Sequence, residues 1–388
     1  MLKMAVGATE EMDGELAAAD VLQQCAAALD GETPKAGLLL ASHDLDFKEF
    51  LAAVADAHPD LELIGCTTLA PMSSVSEYIE GSTTLTLFAS DVIDFTAGLA
   101  GDVASGVDDA ARQAVTEAAA KTDKEPALAI VTPTVEAFDP AAISVEVGRV
   151  LGPTVPVFGG GAVPDFPVQT PWVGGVQFYS DQVVTDSLPV LLLSGPLHVS
   201  VGVRHGWTPV GKTSVVTRSK SETVYEIDGE PVVDFYRHYL GVSGEPALAH
   251  PLAILDDETG RYYLRAPLVW DEEEGSATFF GSVPEGSVVQ IAMASTDEIL
   301  QGTEASVVDA LAGFPESLQP EGALISACAV RNFLLGSRTS SELEIIKSEL
   351  GDDVPIAGFY AYGEIAPLEL EGSARFHNET CVTVLIGT

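Results

Sequence analysis

Gly37-Leu38-Leu39-Leu40-Ala41 is an unbroken apolar run that follows an Ala-rich, helix-patterned stretch opening near Asp13, and this succession decides the fold. A short apolar run between turn residues reads as a strand buried on both faces. Outward from it, Met4-Ala5-Val6-Gly7-Ala8 reads as a strand before the helix. Leu63-Ile64-Gly65-Cys66 and Thr84-Leu85-Thr86-Leu87-Phe88 read as strands after it. The pattern recurs from Phe95 to Ala100 through Asp102, Leu128 to Val131, Val157 to Gly161 and Val190 to Leu193. A third copy runs from Val288 to Met293 through Asp297, Ala323 to Ser326, Ile356 to Phe359 and Val382 to Ile386. Asp13 to Leu38 and Asp102 to Ala127 each span 25 positions, and Asp297 to Ala323 spans 26, which argues for one repeated unit. In each copy the Asp is read as capping the helix N-terminus.

The expected fold class is α/β: three β-α-β-α-β-β repeats forming layered sheets with helices. An inserted, mostly-β region from about Gly195 to Gly286 is expected between repeats two and three. It begins with the alternating segment Leu197 to Val203, and Pro231 opens a helix that Gly241 ends. The domain division is placed at 1–230 and 231–388, with the two halves packed together.

The chain has 388 residues with 18 Lys and Arg against 58 Asp and Glu, a net charge of −40, yet 46% of it is apolar. That apolar share specifies a folded protein rather than a disordered one. Acidic residues scattered at this density exclude nucleic acid and anionic membranes as partners, because phosphate binding needs clustered cations. They suit a cytoplasm rich in salt, which screens self-repulsion. No leader pattern follows Met1-Leu2-Lys3, and the apolar run Leu188 to Leu193 is far shorter than the ~20 residues a membrane span needs. Cys25, Cys66, Cys328 and Cys381 show no zinc or disulfide spacing, and the seven His show no metal-ligand spacing. A cytoplasmic, reduced location is expected, with no metal.

Chemistry concentrates near the C-terminus. Gly358-Phe359-Tyr360-Ala361-Tyr362-Gly363-Glu364-Ile365-Ala366-Pro367 and Arg375-Phe376-His377-Asn378-Glu379-Thr380 carry far more functional groups than a turn between strands requires. Arg331 and Arg375 are read as a clamp for a carboxylate, Glu364 as the partner of an ammonium, and Tyr360, Tyr362 and Trp207 as walls. Cys328, His377 and Asn378 complete the expected site, and Cys66-Thr67-Thr68 lines at most one wall. A thiol enzyme is a further alternative, with Cys66 or Cys328 paired to His377, although no nucleophile motif accompanies them.

These stretches also carry a resemblance. Together with Gly65-Cys66-Thr67-Thr68, His205-Gly206-Trp207-Thr208-Pro209, Val224 to Gly229, Arg265-Ala266-Pro267-Leu268 and Cys328-Ala329-Val330-Arg331, the closing loop resembles the FIST family of intracellular sensory domains. Leu69-Ala70-Pro71 stands where the family's first turn carries Gly-Glu, so no glutamate contact is expected there. The resemblance implies a cytoplasmic signal-transduction protein that binds an amino acid or similar metabolite. It also implies a separate partner such as a kinase, cyclase or chemoreceptor. Some members bind haem and report nitric oxide, so a haem held by His377 or His205 is the alternative; otherwise no cofactor is expected.

Overall fold

The computed structural model describes residues 1–136, 139–165, 174–241, 248–256, 260–370 and 372–388. Three of its sheets share one plan. In the first, the strands run Leu2–Thr9, Thr83–Ser90, Ala36–Ala41, Glu62–Thr67; in the second, Asp94–Ala100, Leu188–Ser194, Pro126–Val131, Val157–Gly160. The third runs His198–Arg204, Cys381–Gly387, Gly322–Cys328, Ile356–Ala361. In each, the middle pair is antiparallel and the last pair parallel. Two helices pack on the outer face of every sheet, and the inner faces meet in one shared core that includes Leu38, Ile64, Ile130, Phe158, Leu324 and Phe359. Because both faces are covered, the strands are nearly continuous apolar runs. Leu38 and Leu40 point to the shared core while Leu39 and Ala41 point to the helices.

The units are tied in a ring. Past its Gly turn, each chain segment adds strands to a neighbour's sheet. Pro71–Ser73 of the first unit pairs with Ile356–Ala361 of the third. The hairpin Gln177–Tyr179/Gln182–Val184 of the second unit pairs with Glu62–Thr67 of the first. The hairpin Glu364–Pro367/Ala374–His377 of the third unit pairs with Val157–Gly160 of the second. The three turns therefore converge, with Gly161 N–H donating to Gly363 O (2.9 Å) and Thr68 Oγ1 donating to Tyr360 O (2.9 Å).

Two expectations are corrected. The first strand of the third unit is His198–Arg204, not Val288–Met293, so the insertion lies inside the third unit rather than between two units. Close packing explains the choice. Gly7, Gly98 and Gly202 occupy the same place in their strands, and a Cβ on them would lie 2.5, 2.1 and 1.9 Å from helix carbonyl oxygens of Val21, Ala114 and Ser306. No such glycine stands in Val288–Met293, which pairs with Thr208–Lys220 and Leu252–Leu255 inside the fourth sheet. The shared Asp cap is the second correction. Asp13 caps its helix, but the second helix is capped by Gly106, and the third by a Ser295–Glu298 capping box.

The fourth sheet is built from residues 208–293 with the helix Val232–Leu240 against it. The proposed break at 230/231 falls within it, since Glu230–Pro231 pairs with Thr223–Ile227. This sheet is fastened to the third unit's hairpin by buried Arg265, half-buried Arg261 and a backbone bond. Arg265 Nη1 donates to Phe376 O (2.9 Å), Arg261 Nη1 to Leu368 O (2.7 Å), and Ala266 N–H to Asn378 Oδ1 (2.9 Å).

Candidate ligand site

Cys328 ends its strand opposite Ala361, so the Tyr362-Gly363-Glu364 turn rises directly beside it. Gly363 has φ +84°, and a Cβ there would lie 2.0 Å from the Phe376 ring; no other residue serves. Glu364 then pairs across strands with both Gly160 and His377. The chain returns through Glu379, a non-glycine residue at φ +64°. Thr380 O accepts from Cys328 N–H at 3.0 Å, which holds this return loop against the strand end.

The result is a cluster of fully buried polar groups. Glu364 Oε2 accepts from Thr380 N–H (3.0 Å) and Oγ1 (2.5 Å). Glu364 Oε1, both Glu379 carboxylate oxygens and Ser326 Oγ meet no N–H or O–H donor in the protein, although all three residues are 0% exposed. Burial raises the Glu364 carboxyl to about 8, only partly offset by hydrogen bonds from Thr380 and the Cys328 thiol. Burial also raises Glu379 well above the usual carboxylate range, and its neighbour Glu364 raises it further. Burial and the same two carboxyls push the Cys328 thiol up. Among the described residues, no group of three His, Cys, Asp or Glu is placed to hold a metal ion.

Arg331 corrects the expected carboxylate clamp. Its guanidinium is 0% exposed and fully engaged. Nε and Nη2 donate to Glu342 Oε1 (3.0 and 2.6 Å), and Nη2 also to Thr303 Oγ1 and Ile299 O. Nη1 donates to His205 O (2.8 Å) and Glu379 O (3.0 Å). Burial opposes its charge, but Glu342 more than restores it. Tyr360 donates its hydroxyl to Glu342 Oε2 (2.6 Å), so it completes this network instead of forming a wall. Arg375 pairs with Asp256 and lies over the Tyr263 ring, away from Arg331's network.

The other expected residues separate in the same way. Trp207 is 3% exposed and packs with Ala253, Leu264 and Ile299, its indole N–H donating to Ala249 O (3.3 Å). Cys66 lies in the shared core, where burial alone pushes its thiol up. Thr67 and Thr68 spend their hydroxyls on Val163 O (2.7 Å) and Tyr360 O. Asn378 bridges Ala266 N–H and His377 O. His377 is fully buried, its Nε2 on Ala366 O (2.9 Å), and burial lowers it to about 3. His377 Nε2 is spent on Ala366 O and its Nδ1 has no partner, so among the described residues no hydrogen bond joins it to Cys66 or Cys328.

Tyr362 is the residue that reaches open space. It lines a hollow of about 660 Å³ with Phe280, Phe279, Val135, Glu136 and Glu222, and its ring sits 4.4 Å from that of Phe280. Glu136 is steadied there by the Gly175 N–H on its Oε1 (2.9 Å). A second hollow of about 420 Å³ is lined by Arg204, His205, Thr208, Arg261 and Glu298. Of the two histidines weighed for haem, His377 lines neither of these hollows, and His205, lowered to about 4 chiefly by burial, borders the second. Ser326, Glu379, Phe280 and Glu136 were not singled out from sequence. Glu379 alone carried a signal there, as a carboxylate inside the residue-rich closing loop.

Comparison with known proteins places the chain. The FIST N domain family model matches residues 35–230 and the FIST C domain model residues 233–367. Uncharacterized proteins of two Mycobacterium tuberculosis strains are 27% identical over 207 residues, covering 50% of this chain and 53% of theirs. The chain thus spans about half the length of the curated relatives it matches. Among solved structures, a cyanuric acid hydrolase from A. caulinodans overlaps with TM-score 0.35 at 8% identity, over 100% of this chain and 99% of that one. A second cyanuric acid hydrolase structure gives TM-score 0.36 at 8% identity, with both chains fully covered. Overlaps this low carry no inference. The two family models together span most of the sequence, and the chain belongs to the FIST family of signal-transduction sensory domains.

Proposed function

We propose that this protein is a non-catalytic cytoplasmic sensor of a small amine-bearing metabolite, an amino acid being the simplest case, and that it signals through a separate partner protein. The observation that carries this reading is the hollow over the Tyr362 turn. Its volume of about 660 Å³ lies within the range of small-molecule sites, its walls are aromatic and aliphatic, and its charged groups are carboxylates. Aromatic faces beside carboxylates favour a cationic head on an apolar body. Among the described residues no helix is long and apolar enough to cross a membrane, which agrees with such a role. The acidic surface suits a salt-rich cytoplasm.

A thermal-shift screen of the amino acids and simple amines tests the proposal. A ligand at a hundredfold excess over Kd stabilises by roughly 2.7 kcal/mol, well within detection. Binding that weakens in Tyr362→Ala is expected. If no amine raises the melting temperature, or if Tyr362→Ala binds as tightly as wild type, the proposal fails.

A further inference from the structure

We propose that the buried cluster of Ser326, Glu364 and Glu379, beneath the Tyr362 turn, receives the protonated amine of the ligand as a hydrogen-bond donor. This rests on the ligand reading above and adds where the charged head goes. Four oxygens there (Ser326 Oγ, Glu364 Oε1, and both of Glu379) meet no N–H or O–H donor while their residues are 0% exposed, the Cys328 thiol being the one further donor to the Glu364 carboxyl. Leaving a buried polar atom unpaired costs about 1–3 kcal/mol, more for a carboxylate, and folded proteins satisfy nearly all such atoms. Burial keeps both carboxyls protonated without a ligand, and a cation beside them favours their ionised form, in which all four oxygens are acceptors; an alkylammonium offers three donors and no acceptor.

Ser326 Oγ and the Glu364 turn both flank Gly160. A Cβ placed on Gly160 would lie 2.9 Å from Ser326 Oγ and 3.0 Å from Gly363 O, and Glu364 is held beside Glu379 by its two bonds to Thr380. Tyr362, which lines the hollow beside Phe280, is one residue from Gly363 and two from Glu364, so the hollow's wall and the cluster belong to one turn. Glu379 itself holds a left-handed backbone (φ +64°) where the return loop turns. A metal ion is the poorer occupant, since no three His, Cys, Asp or Glu among the described residues are arranged to ligate one.

Isothermal titration with n-butylammonium chloride and with 1-butanol, at constant ionic strength set by potassium chloride, tests this. Wild type is expected to bind the amine and not the alcohol. Glu364→Gln and Glu379→Gln are expected to weaken the amine about tenfold or more, the scale of one charge-assisted hydrogen bond. Ser326→Ala removes a hydroxyl that makes no bond in the protein, so it folds, and it is expected to weaken the amine several-fold. Equal binding of amine and alcohol, or amine binding unchanged in all three variants, overturns the cluster assignment. If Tyr362→Ala still weakens the amine in that case, the hollow stands and only the cluster falls. If Tyr362→Ala is also without effect, both fall.

Discussion

Two buried acidic clusters lie within one unit of this protein, and they are opposites. Around Glu342, every acceptor is met: Arg331, Thr303 and Tyr360 supply four donor contacts, and the arginine spends its remaining donors on three carbonyls. Around Glu364 and Glu379, four oxygens meet no N–H or O–H donor. Both clusters are equally buried, so burial does not separate scaffold from site. Hydrogen-bond satisfaction does. A completed network specifies a fold, and on the proposal above an incomplete one next to a ligand hollow awaits a donor from outside the protein.

The comparison breaks most readily at Arg331. Arg331→Ala strands Glu342 without a cation and is expected to cost about 3–5 kcal/mol in denaturant unfolding. A loss under about 1 kcal/mol would mean the satisfied cluster is not a structural staple.

Salt sharpens the contrast, because screening acts on exposed charge and leaves buried groups alone. With −40 net charge, the wild-type melting temperature is expected to climb steeply from dilute buffer to molar potassium chloride. The Arg331→Ala deficit should persist at every salt concentration. A flat wild-type response would remove the salt-adaptation proposal.

Protonation gives a smaller, signed effect. Folded Glu364 titrates at about 8 against an ordinary 4.5, so between those values the folded protein keeps a proton the unfolded chain has lost. Stability from this group is therefore full below the lower value and falls as pH rises toward the upper. His377, lowered from 6.5 to about 3, acts oppositely: its contribution is present above 6.5 and is lost as pH falls. Comparing Glu364→Gln with wild type cancels the histidine, and the variant's advantage in melting temperature is expected to grow from pH 5 to 8. An advantage constant across that range would contradict the shift.

The smallest expected effect is at Trp207. Trp207→Phe loses its hydrogen bond to Ala249 and should cost about 1 kcal/mol, with no change in amine affinity. A loss of affinity would return Trp207 to the pocket.

Much of this was legible in the sequence. Runs such as Leu38 to Ala41 marked the buried strands, because double burial removes the polar alternation that single-faced strands show, whereas the interval counted from Asp13, Asp102 and Asp297 rested on a shared cap that only Asp13 makes. The third unit's first strand was hidden because the insertion separates His198–Arg204 from its helix by some ninety residues, and Val288–Met293 stands where local reading expects it. The ring of exchanged strands was not legible, since short segments such as Pro71–Ser73 carry no mark of their partner. At the site, residue richness pointed to Tyr362, Glu364 and Cys328. It could not separate Arg331 from them, because whether a buried charge is already paired depends on Glu342, Thr303 and His205, which only the fold brings together.

The most direct test of the contrast is the melting temperature of Glu379→Gln with and without n-butylammonium, beside wild type. The expected result is a variant at least as stable as wild type alone, since a buried unpaired acid is removed, but without the amine-induced rise that wild type shows. A variant that is several kcal/mol less stable yet still rises with the amine as wild type does would contradict the account, because Glu379 would then belong to the scaffold.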